Sequence, residues 1–199
     1  MAAFCAWLVA NHTSCLELVA AVLGMLGVAL GIRQNVWTWP VGIANVSLTF
    51  VVFFRAGLYS DMGLQVVYFL LSAYGWHQWL HGGEGHTALT VSRTPRGVWA
   101  SLAIVGVIFW AALGTFTARM PGAAVPYIDA ATTTTSLVAQ YMTTRKLLEN
   151  WIVWIVVDTA YVALFIWRGL YLLAALYAVY LVLAFFGHFA WKRTLAPAT

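Results

Sequence analysis

Charge is scarce in this 199-residue chain: Asp, Glu, Lys and Arg make up 8% of it, against 63% hydrophobic residues. So little polar surface cannot coat a water-soluble globule of this size, and the composition places the chain in lipid. Ten basic and six acidic residues leave a net charge of +4, but the basic residues fall singly or in pairs between apolar runs. That dispersal argues against nucleic-acid binding and reads as a topology signal. Cysteine is nearly missing too, and Cys5 and Cys15 have the spacing of neither a disulfide framework nor a zinc site. The first 15 residues have no basic leader region and Asn11-His12-Thr13 interrupts their apolar run, so the first span is expected after them.

Other absences narrow the mechanism. No Gly-x-x-x-x-Gly-Lys-Ser/Thr loop is present, so the chain does not itself couple ATP hydrolysis to movement. Neither a Ser-His-Asp set nor a pair of carboxylates at catalytic spacing occurs; Glu149 and Asp158 lie nine residues apart, on different helix faces. An enzyme is not expected, and no cofactor is called for. His77, His81 and His86 sit at a span end and around a glycine loop, a poor arrangement for a metal.

What the chain does have is a duplication. Gly57-Leu58-Tyr59 followed by Leu64, Tyr68, Leu71, Gly75 and Trp79 returns, 112 residues on, as Gly169-Leu170-Tyr171 followed by Leu176, Tyr180, Leu183, Gly187 and Trp191. Nine of the 23 positions from Gly57 to Trp79 are identical at that offset, and from Leu64 onward they recur at helical spacing. A span needs about 20 mostly apolar residues. Seven runs qualify, at Leu16–Ile32, Trp39–Phe54, Met62–Leu80, Gly97–Thr117, Tyr127–Met142, Trp151–Ile166 and Leu170–Trp191. The expected fold is an all-α membrane protein of seven transmembrane helices in a 3+1+3 parallel repeat. A first three-helix bundle spans residues 16–80, a linker helix 97–117 and a second bundle 127–191; the single linker lets the second triplet re-enter in the orientation of the first.

Basic residues orient it. Arg55, Arg119 and Arg168 fall on the N-terminal side, and Arg33, Arg93, Arg96, Arg145, Lys146, Lys192 and Arg193 on the other. Three against seven puts the N-terminus outside and the C-terminus in the cytoplasm. Trp37, Trp39, Tyr59, Trp79, Trp99, Trp167, Tyr171 and Trp191 lie near span ends and read mostly as interfacial belts.

Chemistry is expected where polar residues enter spans. Asp158, in the middle of the sixth run, costs about 2.5–3.5 kcal/mol to insert and should face a cavity, a partner or a ligand; the bland alternative is a structural bond to Thr132–Thr135 or a tyrosine. Asn45 sits at a comparable depth in the second run, where helix–helix bonding competes with ligand contact. Gln65 and Tyr68 in the third run, and Gln140 with Thr132–Ser136 in the fifth, add donors and acceptors. Asn150 and Trp154 share a helix face one turn apart, and Asn35 and Trp39 keep the same spacing. Indoles beside amides suit a flat cationic ring, at about 0.5–2 kcal/mol per face; anchoring of the helix start is the alternative.

Trp39-Pro40-Val41-Gly42 through Arg55-Ala56-Gly57-Leu58-Tyr59, Leu64-Gln65-Val66, Tyr74-Gly75-Trp76-His77-Gln78-Trp79, Arg145-Lys146 and Glu149-Asn150-Trp151-Ile152-Val153-Trp154 together resemble the PnuC family of vitamin transporters, along essentially the whole chain. The resemblance implies nicotinamide riboside uptake by facilitated diffusion across the bacterial inner membrane. It also implies a fold similar to the SWEET sugar transporters, a homotrimer, and a cytosolic kinase that phosphorylates the vitamin and traps it. The implied substrate-binding residues are Gln140, Asn150, Trp154 and Asp158, with Asn45, Gln65 and Tyr68 from the other bundle. Thiamine or riboflavin transport within the same family is the first alternative, and Asp158 leaves proton coupling open. A SWEET-like sugar carrier and a non-transporting scaffold fit less well, since neither has a use for a buried carboxylate beside two indoles.

Overall fold

The computed structural model describes residues 15–56, 59–120 and 125–195, leaving Cys5, the Gly57-Leu58 start of the repeat and the Pro121-Gly122 turn outside the described residues. The described residues form seven α-helices: α1 Cys15–Ile32, α2 Thr38–Ala56, α3 Tyr59–His81, α4 Arg96–Thr117, α5 Pro126–Thr144, α6 Asn150–Trp167 and α7 Tyr171–Lys192. Each begins and ends within a few residues of a run read from the sequence. No strand occurs among the described residues beyond one isolated bridge between Ser92 and Leu147. Five helices, all but α3 and α5, are long and apolar enough to cross a membrane by length and composition. The other two fall short because they carry the polar residues: α5 turns Thr132, Thr134, Ser136 and Thr144 into the interior, and α3 holds Gln65, Ser72 and Gln78.

The helices form a closed ring. α1 packs on α2 and α7, α2 on α3, α3 on α5, α5 on α6, and α6 on α7, while α4 stands outside and packs on α5. Two seams therefore join the triplets α1–α3 and α5–α7: α3 against α5, and α7 against α1.

At one end of the ring the geometry repeats at the sequence offset of 112. Trp39 and Trp79 meet edge to face at 5.3 Å and 89°, as do Trp151 and Trp191 at 5.3 Å and 89°. Trp79 donates its indole N–H across one seam to the Thr143 carbonyl at 3.0 Å; Trp191 donates across the other to the Gly31 carbonyl at 3.0 Å. Trp79 and Trp191 then meet at 5.9 Å, bringing the two halves together. The turns after α1 and α5 match as well: Gln34 and Lys146 both have positive φ (53° and 47°). Their amides bond the Gly31 and Thr143 carbonyls, and the next residues reach back to Leu30 and Met142, a left-handed closure of each helix.

These contacts correct one expectation. Trp39, Trp79 and Trp191 are buried core residues, not membrane-interface anchors, because each indole is enclosed by other indoles and two of the N–H groups find carbonyls inside. Trp37, Trp99, Trp167 and Tyr171 are exposed, as a belt requires. The repeat also pairs Trp39 with Trp151, so the Asn35–Trp39 spacing is not the structural counterpart of Asn150–Trp154. Asn35 is exposed and caps the Trp37 amide instead.

The segment from Leu89 to Thr94 straps the α3/α5 seam at the same end. Ser92 pairs with Lys146 and Leu148 through backbone bonds, and Thr94 donates both its amide and hydroxyl to Glu149 at 2.8 Å. Lys146 is buried, with its ammonium 2.8 Å from the Leu89 carbonyl and 4.4 Å from the Trp79 ring centroid. Burial holds its pKa below the ordinary lysine value.

Gly75 and Gly187 admit the tryptophans. A Cβ on Gly187 would stand 2.6 Å from the Trp151 ring, and one on Gly75 would collide with Trp39. Gly75→Ala and Gly187→Ala should therefore each destabilise the detergent-solubilised protein by about 1–3 kcal/mol, the range for overpacking, and by similar amounts. Thermal unfolding of the two variants checks this, and an unchanged melting temperature in either would contradict the packing described.

Candidate functional site

The short turn between α5 and α6 makes them antiparallel neighbours, so residues on facing stripes meet level by level. At the tryptophan end, Asn150 is fully buried (0% exposed). Its side-chain amide donates to the Leu147 carbonyl at 2.6 Å and accepts from the Thr143 hydroxyl at 3.2 Å. Trp154, one turn along α6 and half-buried, directs its indole N–H to the same hydroxyl at 3.3 Å. Thr143 thus joins the two residues.

Gln140 lies one turn back along α5, half-buried, and makes no hydrogen bond among the described residues. Asp158 lies one turn beyond Trp154 and about 12 Å from Asn150 along the helix at 1.5 Å per residue. It is 4% exposed and has neither a hydrogen bond nor an ion pair among the described residues. Thr132, Thr135 and Ser136 spend their hydroxyls on carbonyls of α5 itself, so the structural bond from Asp158 to the threonine run is not formed.

Tyrosines fill the rest of this interior. Asp158 lies within electrostatic range of Tyr177 and Tyr180 on α7. Tyr177 packs on Tyr161 at 4.6 Å, on Phe165 at 5.3 Å and on Tyr180 at 5.7 Å. Tyr68 of α3 reaches across the seam to Ser136 and faces Tyr161. At the other seam its repeat partner, Tyr180, rests its hydroxyl against Gly24 of α1. The offset of 112 relates Gly24 to Ser136 as it relates Tyr68 to Tyr180, so each tyrosine meets the first helix of the opposite triplet at the same place.

Of the seven residues expected from the sequence, Asn150 and Trp154 are joined through Thr143, Gln140 and Asp158 each lie one helical turn from that pair, and Tyr68 reaches Ser136, one turn from Gln140. Asn45 donates to the Ala20 carbonyl and lies beside Gly24 near the Tyr180 hydroxyl, a helix-joining role at the rim of the group. Gln65 sits apart, in a groove of about 210 Å³ with Val46, Ser47, Phe50 and Phe69. Tyr161, Tyr177 and Tyr180 were not singled out from the sequence. Only Tyr180 carried a signal, as the repeat of Tyr68. An apolar groove of about 470 Å³ lies between α4, α5 and α6, lined by Trp99, Gly106, Trp110, Val138, Ile152 and Val156; its lining offers little to a polar solute.

The chemistry is one-sided. At the offset of 112, Gln140, Trp154, Asp158 and Tyr161 correspond to Val28, Gly42, Val46 and Thr49. One half of a duplicated frame holds the indole, the amide and the carboxylate, and the other offers small or apolar side chains at the matching places.

The sequence pattern of the nicotinamide mononucleotide transporter family matches residues 14–193, nearly the whole chain. The chain belongs to that family. It is 27% identical to the nicotinamide riboside transporter PnuC of Escherichia coli, over 89% of this chain and 85% of that protein. It is 30% identical to the riboflavin/roseoflavin transporter RibM of Streptomyces davaonensis, over 91% and 86%. A crystal structure of the vitamin B3 transporter PnuC superimposes with a TM-score of 0.73 at 25% identity, covering 95% of this chain and 85% of that one. The chain is thus a multi-pass membrane protein of a transporter family, with the helical fold expected from its sequence.

Asn150 and Gln140 separate structural from ligand-reading amides. Asn150→Ala removes two hydrogen bonds of a buried side chain, to the Leu147 carbonyl and from the Thr143 hydroxyl, and should destabilise by about 1–3 kcal/mol. Gln140→Ala breaks no bond and should leave the melting temperature nearly unchanged while weakening ligand binding. Thermal unfolding with and without ligand tests the contrast, and equal destabilisation by both variants would refute it.

Proposed function

We propose that the chain takes up nicotinamide riboside across the bacterial cytoplasmic membrane by facilitated diffusion. Phosphorylation by a cytosolic kinase then traps the vitamin inside. One observation carries the reading: in the interior of a transporter-family ring, the half-buried Trp154 indole of α6 has the buried Asp158 carboxylate one turn along its own helix, and neither Asp158 nor the half-buried Gln140 amide of α5 has a hydrogen bond among the described residues. Nicotinamide riboside presents a pyridinium ring, a carboxamide and ribose hydroxyls. Trp154 offers a face to the ring, Gln140 can exchange hydrogen bonds with the carboxamide, and the Tyr68, Tyr177 and Tyr180 hydroxyls offer donors and acceptors to a ribose. Asn150 supports the set by holding Thr143 and Trp154 in register.

The two triplets, residues 16–80 and 127–191, serve in this reading as bundles that rock about the ring, with residues 97–117 as the linker helix. The excess of basic residues at the tryptophan end supports an orientation with that end and the C-terminus in the cytoplasm. A homotrimeric assembly belongs to the same reading. Riboflavin is the second reading, supported by the identity to the Streptomyces transporter, and thiamine, another aromatic cation, is the third.

Counterflow in proteoliposomes tests the proposal. Radiolabelled nicotinamide riboside should equilibrate across the membrane without accumulating under an imposed pH gradient, and Trp154→Ala should slow the exchange about tenfold, the equivalent of one lost aromatic face. Accumulation driven by the gradient would replace facilitated diffusion with proton coupling. Exchange of riboflavin or thiamine alone would replace the substrate.

A further inference from the structure

We infer that Asp158, with the faces of Tyr161, Tyr177 and Tyr180, selects for the positive charge of the substrate, so that this transporter discriminates flat organic cations from neutral heteroaromatics of the same shape. The inference rests on the reading of the chain as a vitamin carrier and adds the basis of its specificity. None of the relatives' names assigns such a role, and two of them differ in this respect: nicotinamide riboside is a cation and riboflavin is neutral.

The geometry points there by elimination. A carboxylate in the interior of a membrane ring normally finds an Arg, a Lys or several donors. Asp158 is 96% covered, yet it has no hydrogen bond and no ion pair among the described residues. The described ion pairs are Arg93–Glu149 and Arg168–Asp129, and neither includes it. The groups facing it are tyrosines of α7, Tyr177 and Tyr180, with Tyr161 packed on Tyr177 from Asp158's own helix. A buried carboxylate without a counter-ion among the described residues, with a cluster of electron-rich rings in electrostatic range, suits a diffuse cation. The negative charge attracts it over distance, the ring faces attract it at contact, and a delocalised pyridinium or thiazolium sheds water more readily than an ammonium does. The repeat sharpens the point. The other half of the frame has Val46 and Thr49 at the positions of Asp158 and Tyr161, so the ring architecture does not itself need a carboxylate or a tyrosine there.

The experiment compares two ligands of nearly the same shape and opposite character: nicotinamide riboside, a cation, and its dihydro form, which is neutral. Thiamine and riboflavin serve as a second cationic and neutral pair. Affinities of the purified full chain are measured by calorimetry for the wild type and Asp158→Asn, which preserves size and hydrogen-bonding capacity. The wild type should prefer the cation of each pair that binds. In Asp158→Asn the cation should bind about ten- to a hundredfold more weakly, the loss of one charge-assisted contact, while the neutral ligand changes little. An unchanged preference in the variant would overturn the inference and leave the transport reading intact. If Asp158→Asn does not fold, the wild type decides: equal affinity for the two forms of nicotinamide riboside, or preference for riboflavin over both cations, would overturn it. Preference for thiamine with no binding of either form of nicotinamide riboside would support charge selection while removing the proposed substrate. Binding of none of the four would overturn both.

Discussion

Two crossed hydrogen bonds hold the ring closed at one end: the Trp79 indole to the Thr143 carbonyl, and the Trp191 indole to the Gly31 carbonyl. Carbonyls in the last turn of a helix lack a full set of partners, and in a membrane interior a polar group without a partner costs several kcal/mol. Each carbonyl already accepts one amide of its own triplet, from Gln34 or Lys146, and the indole of the opposite triplet fills its second acceptor position. Much else follows from this exchange. Gly75 and Gly187 must lack side chains so that Trp39 and Trp151 can lie beneath the donors. Gln34 and Lys146 must take a left-handed conformation so that α1 and α5 end where their carbonyls are wanted.

The same duplication that builds this closure twice builds the candidate site once. Aromatic closure is a property of the frame and is copied faithfully, down to the 89° angles. The interior one to three turns away is not copied: Trp154 faces its own history in Gly42, and Asp158 in Val46. The indole, the amide and the carboxylate thus come from α5 and α6, while the matching positions of α1 and α2 carry small or apolar side chains. In the proposed function, a solute held mainly by one half would stay with that half while the other moves away.

Much of this was legible in the residues. Helix positions follow from apolar run length, because the lipid thickness fixes how many residues a span needs. The offset of 112 was plain in Gly75, Trp79, Gly187 and Trp191, and Asp158 announced itself by the cost of its burial. The tryptophans were misread because an indole near a span end has two good environments, the headgroup layer and a buried pocket with an acceptor. The acceptors, at Gly31 and Thr143, are backbone carbonyls that every sequence has. Asn45 and Gln65 were legible as polar, but their neighbours, the Ala20 carbonyl and the groove beside Phe50 and Phe69, were not, since facing depends on which neighbour each helix chooses. Tyr161 and Tyr177 gave no warning, being ordinary members of apolar helices until α6 and α7 close on each other.

The two seams, alike in their tryptophans, are unequal in everything else at that end. The α3/α5 seam adds the Ser92 backbone pairing, the Thr94–Glu149 bonds, the Lys146 ammonium on the Leu89 carbonyl, and Arg145 on Tyr74 at 3.1 Å. The α1/α7 seam adds one side-chain bond, from Gln34 to Thr194 at 2.9 Å. Pulling the triplets apart across α1/α7 therefore breaks far fewer bonds than doing so across α3/α5. Among the described residues at the tryptophan end, the strapped α3/α5 seam is the spine of the ring and the α1/α7 seam its lightly stitched edge.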